Sequence, residues 1–387
     1  MRSWIAQGME DAMACAERIL IVGGGIGGLS AAAALHACGF TPELIERGDA
    51  WRTVGGGIVM QPNGLRVLRT LGIGTAVERA GTVIRRWAFC DEQGEVLSET
   101  DLTALWNDSG PFIGIARREL QRALLAGAAA IPSRLGTFIT SMTQDDGAVW
   151  VELSDGSAAT YDLVIGADGV GSSVRGLAFN APPPVYGDQT VWRSLAPVRP
   201  RGLANLKFLL GEGCFFGLCP VGADQTYGFA NIAGPPILDP IEGRLARLRE
   251  RFAHFGDIVQ EYLGALHSRA EIHCSPIEWL GEEYWCSGRV VLIGDAAHAS
   301  SPMMGEGASL AVEDAGVLAE SLRAADTVEQ ALEAYVVRRR PRVRWVREQS
   351  RIAGESLRMP VSARNAVLRA RGEQMMRQRF APLIEAP

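Results

Sequence analysis

Three glycines at a fixed spacing, Gly23, Gly25 and Gly28, follow an apolar stretch at residues 19–22 and begin a helix of small residues. Gly23 permits a tight turn, Gly25 lets the backbone approach a pyrophosphate, and Gly28 lets the helix pack closely on the strand. The free amides and the dipole of the helix start favour phosphate charge. A second strand ends at Glu46, where a carboxylate can accept hydrogen bonds from a ribose hydroxyl. The stretch therefore predicts a binding site for an adenine dinucleotide.

Two distant segments repeat the pattern of an apolar strand that runs into a glycine and an acid. The first ends in Asp168 and Gly169, and the second ends in Gly294 and Asp295. Ligands of open α/β sheets bind beyond the carboxyl ends of the strands, so we expect both segments to converge on the first glycine run.

This combination resembles the single-component, class A flavoprotein monooxygenases of the para-hydroxybenzoate hydroxylase type. Their three signatures are present as GGGIGG at 23–28, GADGVGSSVR at 166–175 and GDAAHASSPMMGEG at 294–307. The resemblance spans roughly residues 18–350. It implies an α/β fold with a Rossmann-like FAD-binding domain built on a parallel sheet, an antiparallel-sheet substrate domain and C-terminal helices. The boundaries that we predict are an N-terminal extension at 1–13, an FAD-binding domain at 14–81, 110–181 and 286–324, a substrate domain at 82–109 and 182–285, and C-terminal helices at 325–387.

The resemblance also implies a reaction. NADPH or NADH would reduce FAD, dioxygen would add to give a flavin hydroperoxide, and one oxygen atom would pass to a small aromatic or heteroaromatic substrate. The sequence has no second strand, GxGxxG and helix unit, so the nicotinamide cofactor would bind transiently over the flavin. Two alternatives stay open: an FAD-linked oxidase or dehydrogenase, and an epoxidising or tailoring monooxygenase of the same fold. The WxWxIP motif of flavin halogenases is absent.

The resemblance implies site residues both inside and outside the three signatures, and Arg52 matches the arginine of the family's mobile-flavin loop. Arg52 and His298 are the catalytic candidates, although an ordinary surface arginine and a structural histidine are the competing interpretations. Arg117 matches an arginine that lies beside the dinucleotide, and Asp295 matches an acid that contacts the flavin-side ribityl or pyrophosphate. The predicted cofactor-binding residues are Gly23, Gly25, Ile26, Gly27, Gly28, Glu46, Arg47, Arg117, Asp168, Asp295, Pro302, Gly305, Gly307 and Ala308.

Glu306 departs from the family pattern, which has GQG-x-N where this chain has GEGAS at 305–309. Either Glu306 faces solvent, or it faces the substrate and favours a neutral or cationic ligand. The helix that starts near Gly307 would stabilise negative charge on the pyrimidine edge of reduced flavin.

The segment from Tyr186 to Asn231 alternates like strands and carries much of the aromatic content. Period-two alternation directs about half of its side chains away from any pocket. The predicted substrate walls are Trp192, Arg193, Phe215, Phe216, Tyr227 and Phe229.

Composition limits the remaining classes of function. A net charge of −6 argues against a general nucleic-acid binder, despite an arginine-rich run at 338–351. The 7 scattered cysteines are typical of reduced thiols in a cytoplasmic protein and form no metal-site pattern. No run is long enough for a membrane span, and we expect a monomer or homodimer. After residue 329 we expect helices that break at Pro341 and Pro360.

Overall fold

The computed structural model describes residues 15–51, 56–267 and 271–387. The predicted N-terminal extension and Arg52 lie outside these residues. Within the described ranges, no helix combines the length and the apolar composition that crossing a membrane would require.

The strands follow in chain order: β1 (Ile19–Val22), β2 (Glu43–Glu46), β3 (Gly57–Met60), β4 (Thr82–Ile84), β5 (Arg86–Asp91), β6 (Val96–Asp101), β7 (Phe112–Ala116), β8 (Ser133–Leu135), β9 (Ile139–Gln144), β10 (Val149–Leu153), β11 (Ala158–Tyr161), β12 (Leu163–Gly166), β13 (Val185–Ala196), β14 (Leu206–Leu210), β15 (Cys214–Val221), β16 (Gln225–Ala233), β17 (His273–Trp279), β18 (Cys286–Ser287) and β19 (Val290–Leu292).

The helices follow in the same way: α1 (Ile26–Ala37), α2 (Pro62–Thr70), α3 (Gly74–Ala80), α4 (Leu102–Trp106), α5 (Arg117–Gly127), α6 (Ser173–Phe179), α7 (Arg244–Arg251), α8 (Asp257–Ala265), α9 (Asp295–His298), α10 (Gly307–Ala324), α11 (Val328–Glu355) and α12 (Val361–Ile384). Short 3₁₀ turns lie at Asn107–Ser109, Pro302–Met304 and Ser356–Arg358.

A sheet with the order β18-β19-β12-β1-β2-β8 carries the three signature segments. Its pairs are parallel except for β18 with β19. The strands β1, β12 and β19 are neighbours and buried, as continuous apolar runs in a parallel sheet should be. The α/β fold predicted from the sequence is confirmed, and the three strand ends meet at one edge.

A second sheet has the order β17-β13-β16-β15-β14-β5-β6, and its pairs are antiparallel except for β14 with β5. Helices α7 and α8 cover one face, where Phe252, Val259 and Tyr262 pack in a buried cluster. Side chains of successive residues alternate between that face and the opposite one. This alternation decides which aromatic residues can reach a ligand.

Helix α11 corrects one expectation from the sequence, because it runs through Pro341 without a break. Proline lacks the amide hydrogen that would bond the carbonyl of Val337. Val337 is 67% exposed, so water can satisfy that carbonyl. The second break is confirmed, since Pro360 precedes the first residue of α12.

Candidate functional site

The ends of β1, β12 and β19 are joined by backbone hydrogen bonds that bring the three signatures into contact. The Ala167 amide donates to the Val22 carbonyl at 2.8 Å, and the Ile293 amide donates to the Gly166 carbonyl at 3.0 Å. The convergence expected from the sequence is therefore confirmed.

The glycine run has the shape that its spacing predicts. Gly23 has φ of +106°, and a Cβ there would lie 2.6 Å from the Ala167 carbonyl oxygen. A Cβ on Gly28 would lie 1.8 Å from the Gly23 oxygen, so α1 can approach β1 only with glycine at that position. Gly25 has no atom within 4 Å of its Cβ position, which leaves open space beside the start of α1. Backbone amides can approach a phosphate there.

A cavity of about 540 Å³ opens beside this edge, within the range of small-molecule sites. It runs from the glycine run to the open face of the second sheet. Nine of the predicted cofactor residues line it: Gly25, Ile26, Gly27, Arg117, Asp295, Pro302, Gly305, Gly307 and Ala308. The other five, Gly23, Gly28, Glu46, Arg47 and Asp168, lie outside its lining.

Glu46 and Arg47 lie at the end of β2. Glu46 accepts hydrogen bonds from the Gly24 amide at 2.7 Å and the Gly48 amide at 2.8 Å, which tie the strand end to the glycine run. The ring of Trp51 covers Gly24, where a Cβ would lie 2.3 Å from the ring. Arg47 is exposed.

Asp168 builds a turn. Its carboxylate accepts hydrogen bonds from both Ser172 and Ser173 and from the Val174 amide, at the start of α6. Arg175 then donates to the carbonyls of Val170 at 2.6 Å and Ala296 at 3.0 Å. The second and third signatures are thereby held together, while contact of Asp168 with a cofactor stays a prediction.

His298 lines the cavity, but its Nε2 is hydrogen-bonded to Asp314 of α10 at 2.7 Å. The Asp314 carboxylate also accepts from the Gly294 amide at 2.9 Å and from Arg339 Nε at 2.7 Å. Burial alone would raise the pKa of Asp314, but His298, Arg339 and the Gly294 amide outweigh it and lower the pKa to about 2. An ionised carboxylate only accepts hydrogen bonds, so Nε2 of His298 carries the hydrogen. His298 therefore anchors the third signature to α10, and a catalytic role stays a prediction.

Glu306 is placed differently from both expectations. It is 1% exposed, and it is absent from the cavity lining. Its Oε2 accepts a hydrogen bond from Asn63 Nδ2 of α2 at 3.0 Å. It faces neither solvent nor substrate because the turn before α10 directs it between α10 and α2.

The open face of the second sheet supplies an aromatic wall, defined here as Trp87, Phe208, Phe215, Tyr227 and Phe229. Phe208 is central: it stacks on Trp87 at a centroid distance of 5.1 Å and meets Phe229 edge-on, also at 5.1 Å. Arg193, Phe229, Gly217 and Phe208 lie in one row across four strands. These side chains share the face that the cavity touches, so Tyr227 and Phe229 line the cavity, and their contact with a substrate stays a prediction.

Trp192 and Phe216 correct the prediction of substrate walls. Each is one residue away from the cavity row, so both point to the opposite face of the sheet. The Trp192 indole donates to Asp239 at 2.6 Å, and Phe216 packs against Phe252 at 5.3 Å between ring centroids. They belong to the core under α7 and α8.

Sequence reasoning missed Trp87, Phe208 and Asn231. Trp87 and Phe208 reach the wall through the parallel pairing of β5 with β14, which joins segments far apart in the chain. Three residues of the lining carry a buried polar atom without a hydrogen-bond partner among the described residues: Trp87 Nε1, Asn231 Oδ1 and Ser301 Oγ. Orphaned polar groups in a lined cavity indicate positions where a ligand can supply the missing partner.

Two arginines, Arg117 and Arg193, line the cavity together with the acids Asp295 and Glu278. Arg117 begins α5 and Arg193 lies on β13, and neither forms an ion pair with a carboxylate within the described part of the chain. Arg193 donates to Ser275 Oγ at 3.2 Å. Burial raises the pKa of Tyr227, which therefore stays a neutral phenol beside Arg193. A Cβ on Gly57 would lie 2.4 Å from that ring, so β3 can approach Tyr227 this closely only with glycine at that position.

These features fit an FAD molecule. The open space at Gly25 can take a pyrophosphate, and Arg117 supplies positive charge in the same cavity. Gly305, Gly307 and Ala308 present backbone rather than bulky side chains to the cavity, as approach to a flat ring requires.

The chain is similar to known proteins in both sequence and structure. The family described as FAD binding domain matches residues 17–196 and 271–350. The chain is 35% identical over 322 residues to an aurachin C monooxygenase/isomerase of Stigmatella aurantiaca, covering 82% of this chain and 83% of the relative. It is 31% identical to a 2-heptyl-3-hydroxy-4(1H)-quinolone synthase of Pseudomonas aeruginosa, covering 87% and 88%. The crystal structure of Klebsiella pneumoniae HpxO complexed with FAD and uric acid superposes with a TM-score of 0.87 at 29% identity, covering 96% and 97%.

A first prediction concerns the ion pairs of Arg339, which is fully buried and bonds both Glu313 and Asp314. Arg339→Met leaves two buried carboxylates short of their cation, so the free energy of unfolding should fall by about 3–5 kcal/mol in denaturant titrations. Arg351→Met on the same helix is the control, because Arg351 pairs only with exposed Glu348 and Glu355. Equal losses in the two variants would contradict this account.

A second prediction concerns Asp295, an exposed carboxylate in the cavity lining. Asp295→Ala should weaken FAD binding about tenfold or more, as expected for loss of a hydrogen bond to a charged group. Flavin absorbance after gel filtration measures the occupancy, and Glu278→Ala, which removes another acid of the same lining, is the matched control. Unchanged occupancy in Asp295→Ala would remove this residue from the flavin site.

Proposed function

Because the chain belongs to the FAD-binding family of class A flavoprotein monooxygenases, we propose that it hydroxylates a heteroaromatic ring that carries an N–H, a carbonyl and an apolar substituent. The enzyme binds FAD and uses NAD(P)H as the reductant. Bound FAD supplies the activation of dioxygen and the transfer of one oxygen atom.

We assign the parts of the cofactor to the cavity by chemistry. Gly25, Ile26, Gly27 and the start of α1 hold the pyrophosphate with Arg117, and Glu46 binds the adenosine ribose once a hydroxyl replaces one of its backbone partners. Asp295 binds the ribityl chain. Pro302 and the backbone at 305–308 pass beside the flavin ring.

One observation supports the choice of substrate: the cavity lining combines the aromatic wall with Asn231, whose Oδ1 has no hydrogen-bond partner among the described residues. Asn231 is 1% exposed, and its Nδ2 is held by Gln189 at 3.1 Å, which leaves Oδ1 as a buried acceptor without a partner in a residue that lines the cavity. A ring N–H can donate to it. A substrate carbonyl can accept from Trp87 Nε1 or from Arg193.

The wall also favours an apolar substituent over a fully polar ring. Five aromatic side chains exclude water and offer no partner for further polar groups apart from the Trp87 indole and the Tyr227 hydroxyl. The quinolone of one relative and the uric acid bound by another structure share ring N–H and carbonyl groups, but only the quinolone carries an alkyl chain. The wall therefore supports the quinolone-like class.

Other features of the proposal rest on the same chain. We propose that the strand and helix segments divide into an FAD-binding domain, a substrate domain and C-terminal helices at the boundaries given above. We also propose a cytoplasmic location, which the 7 free cysteines support. The protein is proposed to be a monomer or a homodimer.

The experiment compares 4(1H)-quinolone with 2-heptyl-4(1H)-quinolone and urate as stimulants of NADPH and NADH oxidation by the FAD-loaded enzyme. The heptyl compound should have a KM at least tenfold below that of the unsubstituted ring, because each buried methylene contributes about 0.8 kcal/mol. Isotopic oxygen from dioxygen should enter the product, as mass spectrometry would show. Equal KM values, or stimulation by urate alone, would contradict the proposed substrate class, and substrate oxidation without NAD(P)H would indicate an oxidase.

A matched pair of substrates tests Asn231. Asn231→Val should raise the KM for the N–H quinolone about tenfold, which is the effect of losing one buried hydrogen bond, and should leave the KM for the N-methyl quinolone nearly unchanged. Flavin occupancy and NAD(P)H oxidation without substrate serve as controls for folding. If both quinolones lose affinity equally, Asn231 does not read the ring N–H.

A further inference from the structure

Three buried side chains, Gln61, Asn63 and Glu306, meet where the start of α2 touches the turn before α10. Together they have more hydrogen-bond acceptors than hydrogens to donate. Gln61 Nε2 donates to the Met304 carbonyl at 2.7 Å, and Asn63 Nδ2 donates to Glu306 at 3.0 Å. The remaining oxygens are Gln61 Oε1, Asn63 Oδ1 and Glu306 Oε1, and none has a hydrogen-bond partner within the described residues. All three side chains are at most 1% exposed. With Glu306 ionised, all three of these oxygens are buried acceptors, and no described group donates to any of them.

The neighbouring cations do not bond Glu306. Arg339 is bonded to Asp314 and Glu313 of α10, and Arg342 is bonded to Glu313 and to the carbonyls of Leu383 and Glu385. Arg66 of α2 lies 3.7 Å from Glu313 and bonds the carbonyls of Ile384 and Glu385.

On the cavity side, another acid lies close to the same turn. Asp295 Oδ1 lies 3.9 Å from the Cβ position of Gly307, the residue after Glu306. A negative charge on Glu306 would therefore be buried without a hydrogen-bonded cation, which is costly.

We propose that Glu306 is a neutral carboxylic acid that forms two hydrogen bonds with the Asn63 side chain. Asn63 Nδ2 donates to one carboxyl oxygen, and the proton on the other oxygen is donated to Asn63 Oδ1. The acid then has the hydrogen-bonding pattern of an amide, and two orphaned oxygens gain partners. Burial, reinforced by the charge of Glu313, supports this state by raising the pKa of Glu306 to about 8.

The position of Glu306 couples this proton to the flavin. Glu306 immediately precedes α10, and Gly305, Gly307 and Ala308 on either side of it line the cavity. The start of a helix carries about half a positive charge, which stabilises an anionic reduced flavin. A neutral Glu306 preserves this potential, whereas ionisation at alkaline pH cancels it.

Infrared spectroscopy tests the acid directly. The FAD-loaded enzyme at pH 7 should show the carbonyl stretch of a neutral carboxylic acid that shifts with carbon-13 glutamate labelling and disappears in Glu306→Gln. A spectrum without this band, or a band that persists in Glu306→Gln, would overturn the assignment.

Unfolding across pH supplies a second test. In the unfolded chain Glu306 ionises near pH 4.3, about the ordinary glutamate pKa, whereas the folded pKa is raised. The wild-type enzyme should therefore lose stability relative to Glu306→Gln as pH rises from 5 to 8, by about tenfold in the folding constant per pH unit, and level off above that range. Glu320→Gln, on the same helix but partly exposed and paired with Arg338, should show no such trend. A difference that stays constant, or that favours the wild type at high pH, would contradict a neutral acid.

The flavin itself gives the third readout. The reduction potential of bound FAD should fall more steeply above pH 8 in the wild type than in Glu306→Gln, measured by dye equilibration. Parallel potential curves for wild type and Glu306→Gln would overturn the coupling to the flavin.

Discussion

The rest of the site depends on the hydrogen bonds and the ion pair that the fully buried Asp314 carboxylate forms. The carboxylate joins α10 to two other parts of the chain: the third signature, through the Gly294 amide and the His298 ring, and α11, through the Arg339 guanidinium. Three donors to one carboxylate are needed because a buried charge without partners would cost several kcal/mol. The third signature is thus held against α10, whose first residues line the cavity.

The second constraint is the alternation of side chains in the antiparallel sheet. One face must cover the hydrophobic cluster under α7 and α8, and the other is then available to a ligand. Phe215 and Phe216 illustrate the consequence, because neighbours of the same chemical type serve the wall and the core respectively. A shift of one residue in the strand register would exchange these roles for every side chain.

Short-range geometry explains what the sequence could predict. Gly23 is required by its positive φ, and Gly28 is required by the close approach of the helix to the strand. Such local requirements fix the spacing of the glycines, which can be recognised in the sequence. The convergence of the three signatures follows from a general rule for parallel sheets. Local alternation showed that about half of the aromatic residues would face away, but it could not show which half.

Long-range contacts explain what the sequence could not predict. The place of Trp87 in the wall depends on pairing between segments more than a hundred residues apart. Pro341 is tolerated within a helix at a place where Val337, whose carbonyl loses its donor, is an exposed residue, which depends on how α11 packs. The burial of Glu306 depends in the same way on the contact of α10 with α2.

The charges around the cavity follow from these contacts and explain how one cavity can hold both ligands. Arg117 and Arg193 line the cavity and form no ion pair with a described carboxylate. Asp314 and Glu313 instead form ion pairs with arginines of α11. The start of α10 adds a positive potential of the same sign. In the proposed arrangement, the pyrophosphate would lie near Arg117, the reduced flavin near the start of α10, and a substrate carbonyl near Arg193, so each negative group would lie near a positive one. The aromatic wall then excludes water, which strengthens each of these interactions because screening by solvent is lost.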